Sequence, residues 1–159
     1  MKKIGMGGGC HWCTEAVFQS LKGVEQVEQG YIATSEDPDT FYEGVLVHYD
    51  PNIISLQKLV EIHLKTHQST SFHRMRSKYL SGVYIFNEDQ RLKTERILDD
   101  LRNDFDKEII TSVYNFKKFQ ASRMEIRDYY RADPDRPFCR KYIEPKLEML
   151  KQSYSSELK

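Results

Sequence analysis

An α+β fold is predicted, a single domain in which helices flank a mixed or antiparallel sheet. Runs of β-branched and aromatic residues alternate with runs of helical apolar spacing. Several strand joins are too short for a helical crossover, which favours antiparallel pairing. The 159 residues suit one domain, spanning 1–159, with a core of its own.

Each element has a local cause. Lys2 to Met6 reads as a short strand running into Gly7-Gly8-Gly9, where the backbone can turn sharply and let a substrate come close. Cys10 to Lys22 has the apolar spacing of an amphipathic helix, through Ala16, Val17, Phe18 and Leu21, with Gly23 as its C-terminal cap. Val24 to Ala33 is strand-like, and Ser35 to Asp39, with Pro38, is a polar turn. Gly44 to Tyr49 is rich in β-formers and ends at Asp50-Pro51. Ser55 can cap a helix to about His67, and Gln68 to Lys78 is polar and irregular. Ser81 to Phe86 is the next strand, Asn87 caps a charged helix to about Phe105, and Ile109 to Tyr114 is the last strand. Ser122 with Glu125 has the spacing of a capping box for a short helix ending near Asp133-Pro134. A tail from about 136 carries Cys139, and Ile143 to Lys159 reads as a helix solvated on one side.

Composition narrows the function. Lys plus Arg and Asp plus Glu both number 24, so no overall field favours nucleic acid or an anionic membrane. No apolar run approaches the ~18 residues of a membrane span. The N-terminus lacks the apolar segment of a signal peptide, and a cytoplasmic monomer is expected. Three cysteines are too few for a disulfide framework and fit a reducing compartment.

The chemistry concentrates in Gly7-Gly8-Gly9-Cys10-His11-Trp12-Cys13-Thr14-Glu15. Cys10 falls at the start of the first helix, where unpaired N–H groups and the helix dipole favour a thiolate. Cys13, three residues on, shares its helix face. An inert buried cysteine would need neither the glycines nor the second thiol. Zinc would need a further Cys or His pair at a familiar spacing, which His48, His63, His67, His73 and Cys139 do not form, so no metal is expected. Haem attachment would need His where Thr14 stands.

These residues resemble the peptide methionine sulfoxide reductase A family, with its Gly-Cys-Phe-Trp-x-x-Glu signature at Gly9 to Glu15. Leu21-Lys22-Gly23-Val24 and Gly30-Tyr31 keep the family's register, and Glu43, Val45, Val47 and Tyr49-Asp50-Pro51 match its glutamate-bearing strand. Ser77-Lys78-Tyr79-Leu80-Ser81 stands where the family has Gln-Tyr-Arg-Ser, and Tyr129 to Pro134 with Phe138-Cys139 is similar to its tail. The likeness runs over about positions 3 to 140.

The resemblance implies a ferredoxin-like α/β plait and thiol-dependent reduction of methionine-S-sulfoxide, free or in proteins. Cys10 would attack the sulfoxide sulfur and become a sulfenic acid. Glu43 would supply a proton to the leaving oxygen, and apolar neighbours Phe41, Tyr42 and Val45 would favour its proton-bearing form. A solvated strand glutamate is the plain alternative. Tyr79 would donate a second hydrogen bond or else be a core tyrosine at a strand start. Trp12 would wall the pocket for the S-methyl group, beside His11 and with Tyr42 standing in for a family tyrosine. Cys13 would resolve the sulfenic acid first, Cys139 would pass the disulfide outward, and thioredoxin (dithiothreitol in vitro) would supply electrons, with no bound cofactor. His11 departs from the family's Phe, and Arg74, or else His73, occupies the place of an expected acidic residue. The loop before Glu43 is shorter than usual, and the Ala-Glu and His-Gln pair before Tyr129 is missing. Two rivals are a general Cys-x-x-Cys thiol–disulfide oxidoreductase of thioredoxin type and a non-enzymatic thiol or metal-binding module. The first would want a longer strand and helix ahead of the motif, and the second leaves Glu43, Tyr79 and Trp12 unexplained.

Overall fold

The computed structural model describes residues 1–67 and 80–159. Five strands carry it: β1 (Lys2–Gly7), β2 (Val24–Thr34), β3 (Tyr42–Tyr49), β4 (Gly82–Ile85) and β5 (Ser112–Ala121). The helices are α1 (His11–Gln19), α2 (Leu56–Thr66), α3 (Glu88–Leu101), α4 (Tyr129–Ala132) and α5 (Glu144–Ser153). A π-helical turn, Cys139–Ile143, runs directly into α5.

The sheet closes on itself in the order β1-β3-β2-β5-β4, with β4 returning to β1. Every pairing is antiparallel except β4 with β5, which α3 joins as a crossover. The ferredoxin-like plait expected above is therefore wrong, because a plait is an open sheet and here both edges are joined. Glycine is part of the cause. At the closure Gly5 pairs with Tyr84, and a Cβ at position 5 would lie 2.7 Å from the Tyr84 Cβ. Strands this close can curl into a barrel only where one of them lacks a side chain.

Two apolar layers result from the alternation of strand side chains. Ile32, Leu46 and Tyr84 point inward and pack with Phe86, Tyr114, Phe116 and Phe119. Ile4, Met6, Val45, Val47, Val83 and Ile85 point outward against Phe18, Leu59, Leu98 and Leu150 from the surrounding helices.

Several elements differ from their sequence reading. The last strand starts at Ser112 and runs to Ala121, because its first half pairs with β4 and its second half with β2. The Ser122 capping box does not form. The Ser122 Oγ is buried without a partner among the described residues, and the segment makes only a 3-10 turn, Met124–Ile126. The short helix begins instead after Asp128, which adopts left-handed backbone angles (φ 52°).

Candidate active site

The end of β1 sets the site. Gly7 lies between Gly44 of β3 and Gly82 of β4, so the chain leaves the barrel rim there. Gly8 takes φ 143°, and a Cβ on it would strike the His67 ring at 2.6 Å, so glycine is required. The chain then turns into α1 with Cys10 in the cap position, where its carbonyl accepts from Cys13 N–H at 3.1 Å and Thr14 N–H at 3.2 Å.

The two thiols of this turn titrate as a pair. The hydrogen bond between the sulfurs raises Cys10 and lowers Cys13. At Cys10 burial and the adjacent Cys13 charge add to the rise and outweigh the Trp12 backbone N–H, which favours a thiolate. At Cys13 burial opposes the fall and the Lys146 ammonium reinforces it. Within this pair the proton is held more tightly by Cys10, and negative charge is favoured on Cys13. Dipole reasoning from sequence puts the thiolate on Cys10 alone. It misses Lys146, which arrives from α5 and has no signal in the motif.

Cys139 is also brought here. It is fully buried in an apolar cluster with Cys13, Ala16 and Ile143, against which Cys10 and Trp12 pack. Its thiol lies 3.6 Å from the Asp133 carbonyl, and burial pushes its pKa up. All three cysteines are free thiols.

Glu43 reaches the same rim from β3, opposite Tyr31 of β2. It is buried, and its Oε1 accepts the backbone N–H of His11 at 3.2 Å. The His11 ring fits between the two strands. Its Nδ1 donates to the Gly30 carbonyl at 2.9 Å, its Nε2 lies 3.4 Å from Glu43 Oε1, and its edge meets the Tyr31 ring at 5.2 Å.

Trp12 stacks flat on Tyr129, with ring centroids 4.0 Å apart, and meets Phe138 edge-on at 5.2 Å. The Arg136 guanidinium covers Tyr129 at 4.1 Å. Glu15 fastens this arrangement: buried, it accepts from Asp128 N–H at 2.9 Å, Tyr129 N–H at 3.1 Å and Gln29 Nε2 at 2.9 Å. Glu15 stands in the motif, yet its role as a clamp could not be read there, because Asp128 and Tyr129 lie more than 100 residues away.

A cavity of about 290 Å³ opens beside the thiols, walled by Cys10, Cys13, Val17, His67, Phe138 and Lys146. Tyr42 is not brought to this site. Strand alternation turns it away from Glu43, toward Tyr84 and Tyr114, whose hydroxyls influence one another. Tyr79, with His73 and Arg74, lies outside the described residues. Among the described residues no three His, Cys, Asp or Glu side chains form a metal-sized cluster, and no helix is long and apolar enough to cross a membrane.

Comparisons with known proteins agree on one family. Residues 2–158 match the family described as peptide methionine sulfoxide reductase. The chain is 33% identical to peptide methionine sulfoxide reductase MsrA of Deinococcus radiodurans, covering 96% of this chain and 82% of the relative. The fold is similar to that of reduced Mxr1 from Saccharomyces cerevisiae, with a TM-score of 0.76, 20% identity and coverage of 87% and 88% of the two chains. It is also similar to Mxr1 in complex with Trx2, with a TM-score of 0.63, 21% identity and coverage of 80% and 84%.

Proposed function

The chain belongs to the peptide methionine sulfoxide reductase family and reduces methionine sulfoxide to methionine, and we propose that Cys10 performs the reduction through a sulfenic acid. The observation that carries this reading is the pair of thiols, Cys10 and Cys13, on one turn at the wall of a cavity, with the Glu43 carboxyl at the same rim. Cys10 gives up its thiol proton to Cys13 as its sulfur attacks the sulfoxide sulfur. Glu43 protonates the sulfoxide oxygen, which passes to Cys10 as methionine leaves. Cys13 then attacks the sulfenic sulfur, water departs, and a disulfide forms. Its lowered pKa and its place one helical turn away suit it to go first.

Cys139 shares the thiols' cluster and takes the disulfide next. Because Cys139 is fully buried, passing it outward needs the segment from Tyr129 to Ile143 to lift. A dithiol protein of thioredoxin type then restores the thiols. The Mxr1–Trx2 complex, formed by a protein of the same fold, supports that choice. Trp12, with the rings of Tyr129 and Phe138 behind it, shapes the methyl-binding wall. Tyr79 gives the oxygen a second hydrogen bond. The enzyme works as a cytoplasmic monomer with no bound organic cofactor, on the S epimer, either free or in oxidised proteins.

The test is methionine release from purified S and R epimers with dithiothreitol. Turnover of the S epimer alone is expected. Equal turnover of both contradicts the assignment.

A further inference from the structure

We infer that Lys146 selects the resolving thiol: from the cavity wall that it shares with Cys13, its ammonium favours Cys13 over Cys139 as the sulfur that attacks the sulfenic acid. This rests on the reductase reading above and adds a positioning residue to it, one that acts through Cys13 and not on the substrate.

Lys146 is placed by two contacts. Its ammonium donates to the carbonyl of Thr66, the last residue of α2. The final carbonyls of a helix lack intrahelical donors and carry the negative end of its dipole, so a cation is favoured there. Its neighbour Leu147 packs against the apolar cluster that holds Cys13, Ala16 and Cys139. The tether uses one of the three ammonium protons and leaves the charge at the cavity. Among the described residues that wall contains both motif thiols and no carboxylate. Cys139 lies in the cluster behind and is not part of the wall.

The surrounding charges divide the two candidate resolvers. The groups acting on Cys13 are Cys10 from the turn before α1, Lys146 from α5 and Glu43 from β3. Cys10 lowers Cys13 most, burial opposes it, and Lys146 adds to the fall against the Glu43 carboxylate. Burial raises Cys139 most, and Asp133, Cys13 and Glu144 add to the rise against Arg136. Negative charge on Cys13 thus keeps Cys139 protonated, because like charges in one apolar cluster do not ionise together. The Cys139 thiol meanwhile donates to the Asp133 carbonyl at 3.6 Å. One thiol of the two is charged, and Lys146 stands on the side of Cys13.

The step balances. The Cys13 sulfur forms a bond to the Cys10 sulfur as the bond from Cys10 sulfur to oxygen breaks. Cys13 is oxidised and the sulfenic sulfur reduced to the disulfide level. The Cys13 proton leaves with the hydroxyl as water, and Lys146 keeps its own protons.

The experiment follows disulfide closure after one equivalent of methionine-S-sulfoxide without reductant, quenched at intervals and mapped by mass spectrometry against pH. Wild type is compared with Lys146→Arg, Lys146→Gln and Lys146→Met. Gln can still donate to Thr66 but carries no charge. In both neutral variants the profile for Cys10–Cys13 closure should move up by about half a pH unit or more, because the lost cation no longer favours the thiolate. Below the midpoint that is a loss of about threefold or more, and a Cys10–Cys139 bridge should take a larger share of the first product. Lys146→Arg should keep the wild-type profile and product. In wild type, which needs no variant to fold, iodoacetamide should label Cys13 at lower pH than Cys139. An unshifted profile in both neutral variants, a loss in Lys146→Met that Lys146→Gln does not share, or labelling of Cys139 at the lower pH would each overturn the inference. Absence of methionine formation by wild type at every pH would instead sink the reductase reading.

Discussion

In the proposed mechanism Cys10 and Glu43 act through different properties, and substitution separates them. Cys10→Ser is expected to abolish methionine formation, because an alcohol cannot supply the nucleophile at neutral pH. The same change removes the largest influence lowering Cys13, so the thiolate absorbance near 240 nm should appear at higher pH than in wild type. Thiolate titration followed in the ultraviolet checks this. Glu43→Gln keeps the carbonyl that accepts from His11 N–H but loses the acid, so sulfenic acid formation should slow by on the order of 10²–10⁴. A single-turnover rate at Cys10 measures it, and an unchanged rate would make Glu43 a structural strand residue. At this scale the spacing of the motif singled out Cys10 and Cys13 as candidates, whereas Glu43 became one only through a resemblance. The His11 contacts, 19 and 32 residues away in the chain, had no local signal at all.

Between elements, Glu15 is the joint that holds α4 against α1. Replacing it with Ala leaves the Asp128 and Tyr129 amides without their acceptor. A loss of about 1–3 kcal/mol is expected, with Asp128 partly rescued by water. The Tyr129 ring should then loosen from Trp12, the only tryptophan, and intrinsic fluorescence should shift to the red. Fluorescence with chemical denaturation reads both effects. The sequence points to this region for the wrong reason. Ser122 and Glu125 have capping-box spacing, yet the Ser122 hydroxyl is buried among described neighbours that offer it no partner. The backbone instead makes its turn at Asp128, where the Glu15 carboxylate receives the N–H groups that a cap would have taken. Helices α2 and α3 were easier, since Ser55 and Asn87 do accept from Lys58 and Gln90 as their positions suggest.

For the whole molecule, the pairing of β3 with both β1 and β2 brings Gly7, Gly30 and Glu43 to one rim, and closure of the barrel depends on the approach of β1 to β4. Gly5→Val forces a side chain into Tyr84 and should cost about 1–3 kcal/mol. The melting temperature should fall by roughly 2–4 °C per kcal/mol. Alternation of strands and helices was visible in the residue pattern, but closure was not. It depends on which strands become neighbours, and Gly5 looks like an ordinary strand residue until Tyr84 lies across from it. The most direct test of the mechanism uses the reduced protein, one equivalent of methionine-S-sulfoxide and no reductant, quenched after one turnover and mapped by mass spectrometry. One methionine per chain and a Cys10–Cys13 disulfide with Cys139 free is the expected first product. A Cys10–Cys139 bridge with Cys13 free throughout, or no methionine at all, contradicts it.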